Sequence, residues 1–125
     1  MLLGRSVLGV SALVFMAYGL VSLVSPGVPA GFAGLAMTNG DAFAEVGAMY
    51  GGLQTGIGLF CLLALRKPEF YRSGLALLAL AIGALAVARL ISLVAAVDDV
   101  GGYTYGALLY EVATAALAAT ALWKD

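Results

Sequence analysis

The chain contains no histidine, and Cys61 is its only cysteine. Without an imidazole it cannot assemble a Ser–His–Asp or Cys–His nucleophilic set. A single thiol excludes a disulfide framework and a Cys/His zinc site; within an apolar run, Cys61 reads as a small hydrophobe. Charge is also scarce. Only 10% of the 125 residues are charged, where soluble domains carry roughly 25%. Net charge is −1, and no basic tract offers a surface for nucleic acid. Gly56-Ile57-Gly58 lacks the last glycine of a dinucleotide-binding loop and falls inside an apolar run. These absences point to a non-enzymatic protein with no resident cofactor or metal.

Apolar sequence is abundant. Hydrophobic residues make up 63% of the chain and mean hydropathy is +1.06, more than a soluble fold of this size can hide, because small domains bury a smaller share of their surface. Four runs approach the ~20 residues that span ~30 Å of hydrocarbon. They cover about 6–25, 41–65, 73–97 and 103–123 and end at Pro26-Gly27-Val28-Pro29, Arg66-Lys67-Pro68, Asp98-Asp99 and Lys124-Asp125. None alternates as a strand would, and in lipid only helices or closed barrels satisfy the backbone. The expectation is a single all-α domain over residues 1–125, a bundle of four transmembrane helices. The first run also has a signal-peptide reading, with Arg5 as the charged start and Val28-Pro29-Ala30 near a cleavage pattern, but its apolar core exceeds the usual 7–15 residues. It is read as a retained helix. Residues 26–40 form an uncharged outer hinge with four glycines, and Thr38-Asn39-Gly40-Asp41 supplies the turn and capping oxygens for the second helix.

Four spans put Arg5, Arg66, Lys67, Arg72 and Lys124 on one side and Asp41, Asp98 and Asp99 on the other. The positive-inside rule then places both termini in the cytoplasm. A faint internal echo relates Gly19-Leu20-Val21-Ser22-Leu23-Val24 to Arg89-Leu90-Ile91-Ser92-Leu93-Val94, and Glu45-Val46-Gly47-Ala48 to Glu111-Val112-Ala113-Thr114. It fits a parallel two-plus-two repeat as well as the chance matching of apolar helices.

Ionisable residues inside the bilayer are costly, so each is a candidate for function. Arg89 lies roughly 13 Å from the outer end of its run, Glu111 roughly 12 Å, and Glu45 roughly 6 Å, at 1.5 Å per residue. Stripes of small and polar residues surround them at helical spacing: Thr104, Ala107, Glu111, Thr114, Ala115 and Ala118; Ala86, Arg89, Ser92 and Ala96; Gly47, Tyr50, Gly51, Gln54 and Gly58. Gly52 and Gly56 add a second GxxxG, a spacing that lets helix backbones approach closely. The candidate polar cluster is therefore Glu45, Tyr50, Gln54, Arg89 and Glu111, and the candidate packing glycines are Gly47, Gly51, Gly52, Gly56 and Gly58. A structural Arg89–Glu111 pair that fixes helix register explains the charges. So does a ligand or proton site in which a second carboxylate is left over.

The opening Val7-Leu8-Gly9-Val10-Ser11, the Glu45…Tyr50-Gly51-Gly52-Leu53-Gln54…Gly58-Leu59-Phe60 block, Arg89 and Glu111 resemble a bacterial membrane family known only as a domain of unknown function. More loosely, the chain is similar to DoxX-like four-helix membrane proteins. The resemblance implies a four-helix fold in the bacterial cytoplasmic membrane and no particular activity. The expected role is an accessory or scaffold subunit that meets lipid and another membrane protein or a second copy of itself. The alternative is a binder or carrier of a small lipophilic or protonatable solute through the polar cluster.

Overall fold

The computed structural model describes residues 1–125, and all of its regular structure is helical. The elements are α1 (Leu2–Val24), α2 (Gly27–Ala33), α3 (Gly40–Arg66), α4 (Pro68–Ala95) and α5 (Gly102–Lys124). All but α2 are long and apolar enough to cross a membrane, at 23, 27, 28 and 23 residues. The chain is an all-α, multi-pass membrane protein.

Helix ends follow local chemistry. α1 starts at Leu2 and takes in Arg5. It therefore begins four residues ahead of the apolar run, because one charge in a first turn at the membrane edge costs little. It stops at Val24, just before Pro26, which has no N–H to continue the ladder. The stretch 26–40, read from sequence as a hinge, contains the seven-residue α2, in which Pro29 and Ala30 are buried. Gly34 closes α2 at φ 71°, a left-handed conformation in which glycine carries no Cβ penalty. Asn39 caps α3 as expected: its backbone is extended and its side chain accepts from the Ala42 N–H at 2.8 Å. α4 starts at Pro68 with a 3₁₀ turn, five residues before the apolar run, since proline is pre-set for a first helical turn. It ends at Ala95 rather than 97, where Ala96 turns extended at ψ 136°.

Two of the long helices carry π-helical turns, at Gly47–Gly52 in α3 and Leu78–Ile82 in α4. Each makes i→i+5 bonds and so shifts the face presented by the residues beyond it.

The chain forms two compact units, residues 9–63 and residues 1–8 with 64–125. In the first, α1 and α3 run antiparallel through a glycine seam. A Cβ on Gly51 would lie 2.8 Å from Leu23 Cα, one on Gly19 would lie 2.6 Å from Thr55 N, and one on Gly58 would lie 2.7 Å from Met16 N. Backbone occupies that space, so no side chain fits. In the second unit α4 and α5 run antiparallel, with Gly83 facing Ala115 and Arg89 meeting Glu111. Leu8, Leu75, Leu78 and Ile82 are fully buried.

Candidate functional site

α4 and α5 bring the only two charged residues of the Gly83–Ala95 and Gly102–Ala121 segments together. Arg89 donates from Nε to Glu111 Oε1 at 2.8 Å and from Nη2 to Oε2 at 2.9 Å. This parallel, bidentate geometry is the strongest form of the pair and fixes both side chains in one plane. The Glu111 side chain is 7% exposed and that of Arg89 23%. Glu111 sits in the buried line Glu111, Thr114, Ala118, Ala121, at spacings of three, four and three, so the small-and-polar stripe on α5 is a packed face. The stripe on α4 is packed only in its lower part. Ala86 is buried and Arg89 half-buried, whereas Ser92, in the last turn, and Ala96, just past the end of α4, are exposed. Arg89 is therefore only six residues from its helix end, about 9 Å along the axis, shallower than the sequence run implied.

Beside the pair lies an open groove of about 390 Å³, lined by Leu85, Ala88, Arg89, Ser92 and Thr104 among others. It has one cationic group, two hydroxyls and apolar walls.

The remaining candidates fall in the unit of residues 9–63. Glu45 is exposed in the second turn of α3, and Tyr50 and Gln54 are half-buried further along the same helix. The candidate packing glycines divide. Gly51 and Gly58 form the seam with α1, and Gly47 touches the Pro26 ring at 3.8 Å from an added Cβ. Gly52 and Gly56, the second GxxxG, take no part in that seam: no other helix and no side chain comes within 4 Å of a Cβ on either, and both are exposed. Residues 51, 55 and 58 lie on one face of the helix, and residues 52 and 56 lie on the face beside it. Thr55 and Gly19 were not singled out by sequence although they complete the seam. Their signal was the small-residue register of α1, in which Ala12 and Gly19 recur at seven residues.

A second polar group forms at the opposite end of α4 and α5. Tyr71 donates its hydroxyl to Asp125 Oδ2, and the Met1 ammonium donates to Asp125 Oδ1 at 3.2 Å. These two donors, Tyr71 foremost, hold the Asp125 carboxyl below its ordinary range. Gly4 makes room for the Tyr71 ring: a Cβ there would meet Tyr71 Cζ at 2.7 Å. These contacts join residues far apart in sequence, and no motif marked them.

No curated protein and no solved structure matches the chain. A family model does match it, over residues 3–122, and the protein belongs to that family, Domain of unknown function (DUF4345).

Proposed function

We infer that this is a non-enzymatic accessory or scaffold subunit of the bacterial cytoplasmic membrane, with both termini in the cytoplasm, and that it packs against another transmembrane helix through one face of α3. The observation that carries this reading is the line Ala44, Ala48, Gly52, Gly56. All four are exposed, and no other helix and no side chain beyond the adjacent residues comes within 4 Å of a Cβ on either glycine. Each glycine inside a helix costs about 1 kcal/mol relative to alanine. In a membrane, small residues at four-residue spacing let a second helix approach to backbone contact. The Gly51–Gly58 seam uses the same device within the chain, which leaves the neighbouring face for a partner. The bidentate Arg89–Glu111 pair fits this role as a register clamp, since its charges are mutually neutralised. The looser resemblance to DoxX-like proteins adds nothing to this reading.

The test uses Gly52→Ile and Gly56→Ile in the full chain, in native membranes. Both variants should fold with unchanged thermal stability in detergent and should migrate as a smaller species on native gels. Co-expression of two differently tagged copies distinguishes a homo-oligomer from a complex with another protein. If native size is unchanged in both variants, the reading fails.

A second reading, binding or carriage of a small lipophilic solute with a polar end, draws on the groove beside Arg89; Glu45, Tyr50 and Gln54 belong to it only as polar groups of the other unit. Ser92→Phe, which narrows the groove and leaves both charges of the pair in place, should then abolish copurification of the solute. If no small molecule copurifies with the wild-type chain, this reading is excluded.

A further inference from the structure

Cations also converge on a cavity at the basic end of the unit formed by residues 1–8 and 64–125. Arg5 stands on α1 and Arg72 on α4. Arg5 Nη1 donates to the Leu65 carbonyl at 3.3 Å, and Arg72 Nη1 donates to the Leu122 carbonyl at 3.2 Å. Leu65 and Leu122 lie in the last turns of α3 and α5, where carbonyls have no partner within the helix. Each arginine is thus anchored by one N–H of the five a guanidinium carries. Both side chains are exposed, so the rest of each fork remains accessible.

With Tyr71 and Pro68, the two arginines line a cavity of about 290 Å³. That volume sits at the lower end of the roughly 300–1,000 Å³ typical of ligand pockets, which suits a compact polar group. Asp125 also lines the cavity, but its two oxygens are already taken by Tyr71 and the Met1 ammonium. Two guanidiniums and the Met1 ammonium stand against the one side-chain carboxylate of Asp125, so the cavity favours an anion. Its depth is informative too. α1 and α4 begin here and α3 and α5 end here, so the cavity lies where membrane-crossing helices meet lipid headgroups. A planar fork with several donors matches tetrahedral phosphate oxygens better than a point charge does.

We propose that this cavity binds a phosphate group gripped by Arg5 and Arg72 from two helices. The headgroup of an anionic phospholipid and free inorganic phosphate share that chemistry, and the experiment separates them. The other cations of this end, Arg66, Lys67 and Lys124, do not line the cavity and serve as the internal control.

The full chain in neutral detergent is titrated with phosphatidylglycerol, phosphatidylcholine or inorganic phosphate while thermal midpoint and lipid retention by native mass spectrometry are followed. Phosphatidylglycerol should raise the midpoint and stay bound where phosphatidylcholine does not. The double variant Arg5→Gln with Arg72→Gln should weaken its apparent affinity about tenfold or more, the loss expected from removing charge-assisted hydrogen bonds. Arg66→Gln with Lys67→Gln should leave affinity within about twofold, since exposed charges act diffusely. A shift with inorganic phosphate alone identifies the free anion as the ligand; a shift with phosphatidylglycerol alone identifies the lipid. Equal losses in both double variants would overturn the proposal, because diffuse charge would then explain the binding. The absence of any response to both phosphate sources would also overturn it. If the glutamine pair fails to fold, Arg72→Lys keeps the charge and removes the fork. A severalfold loss of affinity in that variant upholds the proposal, and unchanged affinity refutes it.

Discussion

Replacing Arg89 by leucine should be among the most damaging single substitutions in the chain. The change leaves the Glu111 carboxylate 7% exposed with both charge-assisted hydrogen bonds gone. Removing one partner of a buried pair costs ~3–5 kcal/mol because the other charge is stranded; local thinning and water entry bring the loss in a bilayer to the lower part of that range. Glu111→Leu removes the carboxylate from the less buried Arg89, 23% exposed, and its loss should be smaller. The double change to leucine removes both charges and leaves two apolar side chains at the α4–α5 contact, so most of the loss should be recovered. The assay is a double-mutant cycle on unfolding free energy in mixed micelles, or on thermal midpoints in detergent with all four proteins side by side. The geometry predicts a coupling of at least ~2 kcal/mol, against a scatter of ~0.5 kcal/mol for independent sites. Additive losses would refute the reasoning, because two residues that share both hydrogen bonds cannot act independently.

Gly51→Ala should destabilise by about 1–3 kcal/mol, since its Cβ meets Leu23 backbone atoms at 2.8 and 2.9 Å that cannot move aside. Gly52→Ala, in open space, should be neutral or gain up to ~1 kcal/mol in detergent; equal effects of the two would deny the seam. Gly34→Ala should cost about 1–2 kcal/mol through its left-handed backbone, read as a lower thermal midpoint. The Asp125 carboxyl, held low by Tyr71, contributes stability above its unfolded pKa, and that contribution is lost as pH falls through its folded pKa. Tyr71→Phe should flatten the acid limb of the stability–pH curve, and an unchanged limb would argue against the contact. Finally, cysteines at Lys67 and Asp99, in a background with Cys61 replaced, should label from opposite sides of the membrane; equal labelling would contradict four spans.

Much of the fold was legible because lipid imposes a simple rule on composition. Four apolar runs gave four long helices, and Pro26, the Asn39 cap and the Asp98-Asp99 pair marked real ends or turns between them. Arg89 and Glu111 could be matched by counting residues from those ends. The π turns at Gly47–Gly52 and Leu78–Ile82 could not be read this way, since a shift of hydrogen-bond partner by one residue leaves no mark in composition. Which GxxxG faces its own chain was hidden for a related reason. Gly51 and Gly52 are chemically identical, and only the position of α1 decides between them. The grouping of Arg5, Tyr71, Arg72 and Asp125 depends on the register of segments fifty or more residues apart, which no local pattern encodes.

The bidentate pair also constrains how the protein is made. A charged residue costs up to roughly 2.5–3.5 kcal/mol during insertion when it lies at a helix centre, and less toward an end; within the bilayer α4 and α5 bring Arg89 and Glu111, of opposite sign. The short connection 96–101 lets the two helices meet while both are still emerging. Each charge can then be neutralised by the other before either helix is committed to lipid. The last two helices are therefore best suited to entering the bilayer as a hairpin, and a nascent chain stalled before α5 would hold an arginine in α4 with no counter-charge from α5.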